Sequence, residues 1–365
     1  MNAIDRLRTE KKVLLYGQED YVARLSNYLD VIFPTLEKEC ISFPLEVDKP
    51  DATEFDFSSF EDKLCNAEKK LVVITFSSKF NPMAAKYLTR FGFSDFIYYD
   101  ALLDNSLKKS FFASYFNKLG KSFTLLEDIP MSNTAQTKCV HVYQAKSVHD
   151  KDLNEKPSLS KFILPIQVGA ALTEKKIASL RDEVGENISD RNRRYSEMTA
   201  FYWMWKNDKV ADYLGICHYR RIWCDLDQIV EKLKRSNVDV VLPLPTLCEK
   251  SIYDDYMIKH IPTVYKPMME VLKEKSPEYY EASQAIFKER IFYASNMCIL
   301  KREVLNDLCD WMFPIVMEVE RRVGDIEDTY YNRYAGFCTE RLITLYFLYN
   351  CNDWGIAHAE KIFLS

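Results

Sequence analysis

The chain has 365 residues, 47% of them hydrophobic, enough to build a core for each of two domains. Its net charge is −5, which excludes a broad electrostatic grip on nucleic acid and leaves local basic clusters suited to a small anion. The 10 cysteines form no CxxC pair and no Cys/His spacing of a zinc site, and several sit inside apolar runs, as expected of thiols in a reducing cytosol.

The N-terminus, MNAIDRLRTEKK, has no apolar signal core, and no run approaches the ~18 apolar residues of a membrane span. A cytoplasmic protein is expected, with contact at the inner face of a membrane left open. Lys12–Tyr16 then reads as a buried strand, followed by Gly17 and a helical pattern carrying Val22, Leu25 and Leu29. Leu71–Thr75 is a second strand, Pro82–Phe91 a helix and Phe96–Tyr99 a short strand, an alternation that predicts parallel strands with crossover helices. The first turn, Gly17-Gln18-Glu19-Asp20, has one glycine where a dinucleotide fingerprint needs three, and two acids where pyrophosphate would sit. Residues 1–125 are therefore expected to form a degenerate Rossmann-like α/β module that binds no dinucleotide.

Residues 126–365 alternate again. Strand Lys138–Gln144 leads into a long loop, Ala145–Ser160, of the kind that is often functional. Helix Arg193–Asn207, strand Tyr213–His218, helix Asp227–Ser236 and strand Val238–Leu244 follow. A helical stretch, Thr263–Arg290, breaks at Pro277, because proline cannot continue an intrahelical ladder. Strand Ser295–Leu300, helix Arg302–Arg322, helix Thr339–Asn350 and a final strand Gly355–Ala359 complete an α/β domain with a mostly parallel sheet.

The strongest chemical signal is His218-Tyr219-Arg220-Arg221, a polar run beginning where an apolar strand ends. Guanidinium forks suit phosphate oxygens, and open α/β sheets bind ligands beyond the carboxyl ends of their strands. The plainer reading pairs the two arginines with Asp225 and Asp227 on the surface; against it, neighbouring side chains of an extended chain point to opposite sides, so only one easily faces solvent. Upstream, Asn187, Ser189 and Asp190 precede a helix, where they can cap it or help its N-terminus hold phosphate, and Arg191, Arg193 and Arg194 add charge. That helix is apolar on nearly every side and so predicted buried, with Glu197, Lys206 and Asn207 each needing a partner or an exit. Lys206 and Asn207 end it where a loop can face a ligand, or where they serve as a C-terminal cap.

Asp225-Leu226-Asp227 can hold a divalent cation, Mg2+ or Mn2+, for a diphosphate; it can equally be the acidic start of a helix, with the arginine pair replacing the cation. Candidates for a proton-accepting group are His218; Asp254, Asp255 and His260, in a polar stretch after strand Val238–Leu244 read as an acceptor-side loop; and Glu340, unranked, Glu340 having Arg341 or Arg333 as a structural alternative.

PIQVGA (165–170), NISDRNRRYSEMTAFYWMWKN (187–207), YLGICHYRR (213–221), VDVVLPLP (238–245), SNMCILKREVLNDLCDWMFPI (295–315) and TERL (339–342) together resemble bacterial polysaccharide glycosyltransferases long known as domain-of-unknown-function family 4422. The likeness runs from about Lys138 to the C-terminus in one order. It implies a GT-A-like enzyme moving a sugar, galactose or galactofuranose among them, from a UDP-sugar donor to a saccharide or lipid-linked glycan acceptor in capsule or O-antigen synthesis. On that reading Asn187, Asp190, Arg194, Lys206, Asn207, His218, Tyr219, Arg220 and Arg221 line the donor pocket, and a standard Asp-x-Asp is replaced by the His218–Arg221 run, which puts metal dependence in doubt. The competing expectation is a nucleotide- or sugar-binding scaffold without catalysis; an oxidoreductase is disfavoured by the missing glycines.

Overall fold

The computed structural model describes residues 2–44, 56–66, 68, 70–77, 79–153 and 159–364. The chain divides into two units, Met1–Ser122 and Phe123–Ser365.

The first unit runs α1 (Ala3–Thr9), β1 (Lys12–Gln18), α2 (Glu19–Ile32), β2 (Glu37–Phe43), α3 (Glu61–Asn66), β3 (Leu71–Thr75), α4 (Asn81–Thr89), β4 (Phe96–Tyr98) and α5 (Ala101–Lys118). Its sheet, in the order β2-β1-β3-β4, is parallel throughout. Strand β3 is buried along its whole length, the continuous apolar run typical of a strand covered on both faces. β1 continues through Gly17 and passes straight into α2, so no loop exists there to cradle a phosphate. Gly17 has a packing reason instead: a Cβ on it would lie 2.2 Å from Thr75 Oγ1 and 2.7 Å from the Thr75 carbonyl carbon.

The second unit runs β5 (Val140–Lys146), β6 (Ile163–Gln167), β7 (Leu180–Arg181), α6 (Asn192–Tyr195), α7 (Met198–Asn207), β8 (Tyr213–His218), β9 (Arg221–Trp223), α8 (Leu226–Arg235), β10 (Val240–Pro243) and β11 (Thr246–Leu247). It continues with α9 (Ile252–Lys259), α10 (Pro262–Lys275), α11 (Pro277–Ile286), β12 (Ile291–Phe292), β13 (Cys298–Lys301), α12 (Arg302–Val323), α13 (Tyr334–Tyr349), β14 (Ile356–Ala359) and β15 (Lys361–Phe363). Seven strands form one sheet in the order β14-β10-β13-β8-β5-β6-β7. All neighbours are parallel except β13, which is antiparallel to both β8 and β10. Strand β8 is central and apolar, and Gly215 lets β13 approach: a Cβ there would sit 2.6 Å from Ile299 Cγ1. Of the loop predicted over 145–160, residues 154–158 lie outside the described residues.

Three expectations are corrected. The single helix predicted from Arg193 to Asn207 is two helices, α6 and α7, separated at Ser196, whose φ of 51° and ψ of −127° no regular helix contains. Asn192 Nδ2 donates to the Ser196 carbonyl at 2.7 Å and Arg333 Nε to Ser196 Oγ at 2.9 Å, holding that break. Asp254 and Asp255, read as a polar loop, lie on helix α9, whose N-cap Ser251 accepts from Asp254 N–H at 2.9 Å, and His260 is its C-cap. The last helix begins at Tyr334, so Glu340 sits well inside it rather than at its start. All ten cysteines are free thiols, and among the described residues no helix is long and apolar enough to cross a membrane.

Candidate functional site

Strands β5, β6 and β8 run parallel, so their carboxyl ends share one edge of the sheet, and the antiparallel β13 brings its amino-terminal approach, residues 294–296, to the same edge. A cavity of about 830 Å³ opens there, within the range of small-molecule sites. Residues 147–150 after β5, Val168, Gly169, Leu172 and Thr173 after β6 and 218–221 at the end of β8 line it, together with Glu197, Glu340 and Arg341.

The chain bends after His218, and β9 pairs antiparallel with β15. Because of that bend the two arginines do not diverge as they would along a straight strand. Both line the cavity, with guanidinium carbons 4.9 Å (Arg220) and 5.4 Å (Arg221) from the Phe363 ring centre. Neither makes an ion pair among the described residues. Asp150, whose carboxyl pKa burial pushes up and the Ser147 N–H, Lys146, Arg220 and His149 pull down, accepts from Ser147 N–H at 2.8 Å.

The floor is tightly wired. Ser295 and Asn296 have φ of 77° and 51°, an uncommon backbone for residues other than glycine. The Ser295 carbonyl lies 2.6 Å from His218 Nε2. A carbonyl only accepts, so Nε2 carries the proton and Nδ1 the lone pair. Burial holds the His218 pKa below its ordinary value; Glu197 and the Ser295 contact oppose this, while Arg221 and Lys361 reinforce it. Ser295 N–H donates to Glu340 Oε1 at 2.6 Å. Arg341, whose side chain is 1% exposed, joins Glu340 Oε2 and Asp255 Oδ2 at 2.8 Å each, and Lys259 Nζ lies 2.5 Å from Asp255 Oδ1. Burial pushes the Glu340 carboxyl above the usual carboxylate range, against the pull of Arg341 and the Ser295 N–H. His260 stacks on Phe337 with ring centres 3.9 Å apart, and burial, then Arg341, Lys259 and Arg333, lowers its pKa to about 3.

Of the five proton-accepting candidates, His218, Asp255, His260 and Glu340 share this cavity. Asp254 does not: it accepts from Ser251 Oγ at 2.6 Å and lines a separate cavity of about 660 Å³ with Tyr253, Tyr265 and Tyr280. Of the predicted donor residues, His218, Tyr219, Arg220 and Arg221 line the main cavity, whereas Asn187, Asp190, Arg194, Lys206 and Asn207 are not among its lining. Asn187 Nδ2 donates to the Glu183 and Gly185 carbonyls at 2.8 Å each. Asn207 holds Glu186 from both sides, donating to its carbonyl at 2.8 Å and accepting from its N–H at 3.1 Å. Lys206 pairs with Glu186 at 3.4 Å and covers the Trp205 ring, and Arg194 pairs with Glu320 and Asp325. Asp190 is exposed in a short turn, Ser189–Arg191. Asn187, Arg194, Lys206 and Asn207 thus fasten this stretch to its surroundings, and the cavity receives Asn192, Arg193, Ser196 and Glu197 from it instead.

Asp225 is the N-cap of α8, accepting from Gln228 N–H at 3.1 Å, and Asp227 lies in the first turn; neither lines the cavity. Among the described residues no group of three or more His, Cys, Asp or Glu is arranged to hold a metal. Two residues that sequence reasoning left out are structurally central. Asp182 is fully buried and accepts from Gly169 N–H and Ala170 N–H at 3.0 Å each and from Ser189 Oγ at 2.5 Å, fixing the left-handed Gly169 corner of the cavity. Glu197, noted only as a polar exception in an apolar helix, lies in the cavity wall.

Residues 147–351 match the family described as Domain of unknown function (DUF4422). A solved apo structure of the bifunctional glycosyltransferase WbbM resembles the chain with a TM-score of 0.53 and 24% sequence identity. That likeness is one of fold; it covers 62% of this chain and 45% of WbbM, less than half of the larger protein. A comparison with curated proteins gives no match.

Proposed function

The chain belongs to the DUF4422 family, and from that premise we propose that it is a glycosyltransferase whose donor is a UDP-sugar, with galactose or galactofuranose the moiety moved. The acceptor is a saccharide or lipid-linked glycan hydroxyl in capsule or O-antigen assembly. The fold shared with WbbM, itself a glycosyltransferase, and the mostly parallel seven-stranded sheet support this reading. The observation that carries it is the pair Arg220 and Arg221, two guanidinium groups with no carboxylate partner among the described residues, at the mouth of parallel strands beside a cavity sized for a nucleotide sugar.

In this reading the diphosphate lies against both guanidinium groups, which neutralise the charge that grows as the UDP departs. The arginines then do the work a divalent cation does elsewhere, and Asp225 and Asp227 serve α8. The first unit is assigned no dinucleotide chemistry, because its Gly17 corner is filled by Thr75.

Titration calorimetry with UDP, and nucleotide release from a panel of nucleotide sugars with and without chelator, test the proposal. UDP binds and one donor is turned over slowly, equally with chelator present. Absence of heat with millimolar UDP overturns the donor site; abolition of turnover by chelator overturns the role given to the arginines.

A further inference from the structure

We propose that Glu197 is the catalytic base of the transfer, its free carboxylate oxygen taking the proton of the acceptor hydroxyl. The inference rests on the glycosyltransferase reading above and adds to it the group that activates the acceptor.

The argument starts from the break between α6 and α7. Ser196, at φ 51°, interrupts what the apolar pattern would otherwise make one helix, and the residue after it, Glu197, enters the cavity. Asn296, buried next to the lining residue Ser295, also has a positive φ, and its Nδ2 donates to Glu197 Oε1 at 2.7 Å and to the Gly336 carbonyl at 3.2 Å. Among the described residues, three of the four non-glycine residues with positive φ, Ser196, Ser295 and Asn296, thus flank one carboxylate; the fourth, Asp225, caps a helix. Backbone outliers persist only where surrounding structure over-determines them, and they cluster at sites of function.

Glu197 Oε1 is anchored, whereas Oε2 makes no hydrogen bond or ion pair among the described residues. The competing acids differ on this point. Both oxygens of Glu340 are engaged, by Ser295 N–H and Arg341, and both oxygens of Asp255 by Arg341 and Lys259. His218 keeps an available Nδ1, but burial and the nearby Arg221 and Lys361 make it a poor proton acceptor. Asp150 also lines the cavity with one oxygen unengaged among the described residues, but its carboxyl is pulled by Arg220, on the side given to the diphosphate. Among the carboxylates next to His218 and Ser295, Glu197 is therefore the one with an oxygen to spare.

The step balances without a redox partner. The acceptor O–H proton passes to Glu197 Oε2 while the acceptor oxygen bonds to the anomeric carbon of the donor. The bond from that carbon to the β-phosphate oxygen breaks, and its electron pair leaves on UDP against Arg220 and Arg221. This is a single displacement, so the anomeric configuration inverts.

Glu197→Gln tests the assignment, because the amide oxygen still accepts from Asn296 and the volume is unchanged. With UDP-galactose, or the donor that the panel selects, and water as acceptor, kcat falls by at least ~10²-fold while donor KM and UDP affinity stay within about twofold. In Glu197→Ala, sodium formate restores part of the turnover, and it does not accelerate the wild type. Glu197→Gln turning over within about tenfold of wild type overturns the base assignment and leaves the transferase reading standing. Loss of UDP binding together with turnover makes Glu197 a structural residue and likewise overturns it. A wild-type protein that binds no UDP and turns over no donor overturns the underlying reading instead.

Discussion

Replacing Arg220 or Arg221 by Ala separates donor binding from folding. A guanidinium donating to a phosphate oxygen makes a charge-assisted hydrogen bond, and losing one costs about 1.5–3 kcal/mol, or roughly 10- to 150-fold in UDP affinity. Folding is little affected, for a structural reason. Neither arginine makes an ion pair among the described residues; Arg220 acts on the half-buried Asp150 only at longer range, alongside Lys146 and His149, so its removal leaves that acid with other cations nearby. What the fold loses is the stacking on Phe363, worth about 0.5–1 kcal/mol for a half-exposed cation. Calorimetry with UDP and urea unfolding, run on wild type, both single variants and the double variant, supply both numbers. Arg→Lys at each position keeps the charge but not the planar fork, and its affinity falls between those of wild type and Ala. The two groups act on one anion, so the double variant does not show the sum of the single losses. UDP affinity unchanged in the folded double variant would refute the reasoning at its root.

Three further outcomes follow from packing and charge. Arg341→Met leaves Asp255 and Glu340 buried without their shared cation and lowers unfolding free energy by about 3–5 kcal/mol, read by urea denaturation; a loss below about 1 kcal/mol refutes it. Gly215→Ala forces a methyl group to 2.6 Å from Ile299 Cγ1 and 3.0 Å from the Cys298 carbonyl, and destabilises by about 1–3 kcal/mol in the same assay. His358 lies buried between the Tyr293 hydroxyl (2.8 Å) and the Thr124 carbonyl (3.2 Å), and burial lowers its pKa to about 4. Its neutral form is the native one, so its contribution is whole above the ordinary value of about 6.5 and is lost as pH falls towards 4. The stability difference between wild type and His358→Gln therefore shrinks by about 3 kcal/mol between about pH 7 and pH 4.

Much of the second unit was legible because its elements carry strong local signals. Tyr213–His218 was bounded correctly by an apolar run ending abruptly in charge, and the helical stretch from 263 to 290 divides at Pro277 as its ring requires. In the first unit α5 announces itself through Leu103, Leu107 and Phe111 at four-residue spacing behind the N-cap Asp100, a pattern that sequence reading passed over. Strand β2 carried a weaker signal: it is an edge strand whose first four residues, Glu37 to Cys40, are all at least partly exposed, so no buried alternation marks it.

The site was legible only where one continuous segment builds it. His218, Tyr219, Arg220 and Arg221 follow one another, and finding the end of the strand found all four. The segment from 187 to 207 failed the same logic because polarity says that a side chain needs a partner, not which partner it has. Asn187, Lys206 and Asn207 spend theirs on the residues 183–186, while Glu197, one polar residue among aromatics, is turned into the cavity by a backbone break at Ser196 that no periodicity encodes. What singles out Glu197 is relational: Asn296, ninety-nine residues away, holds one oxygen, whereas Glu340 and Asp255 have both of theirs occupied. Those relations exist only once β13 runs antiparallel beside β8 and brings residues 294–296 to the strand ends. The half of the site proposed to bind phosphate can thus be read from consecutive residues, whereas the half proposed to take the proton is a property of the topology.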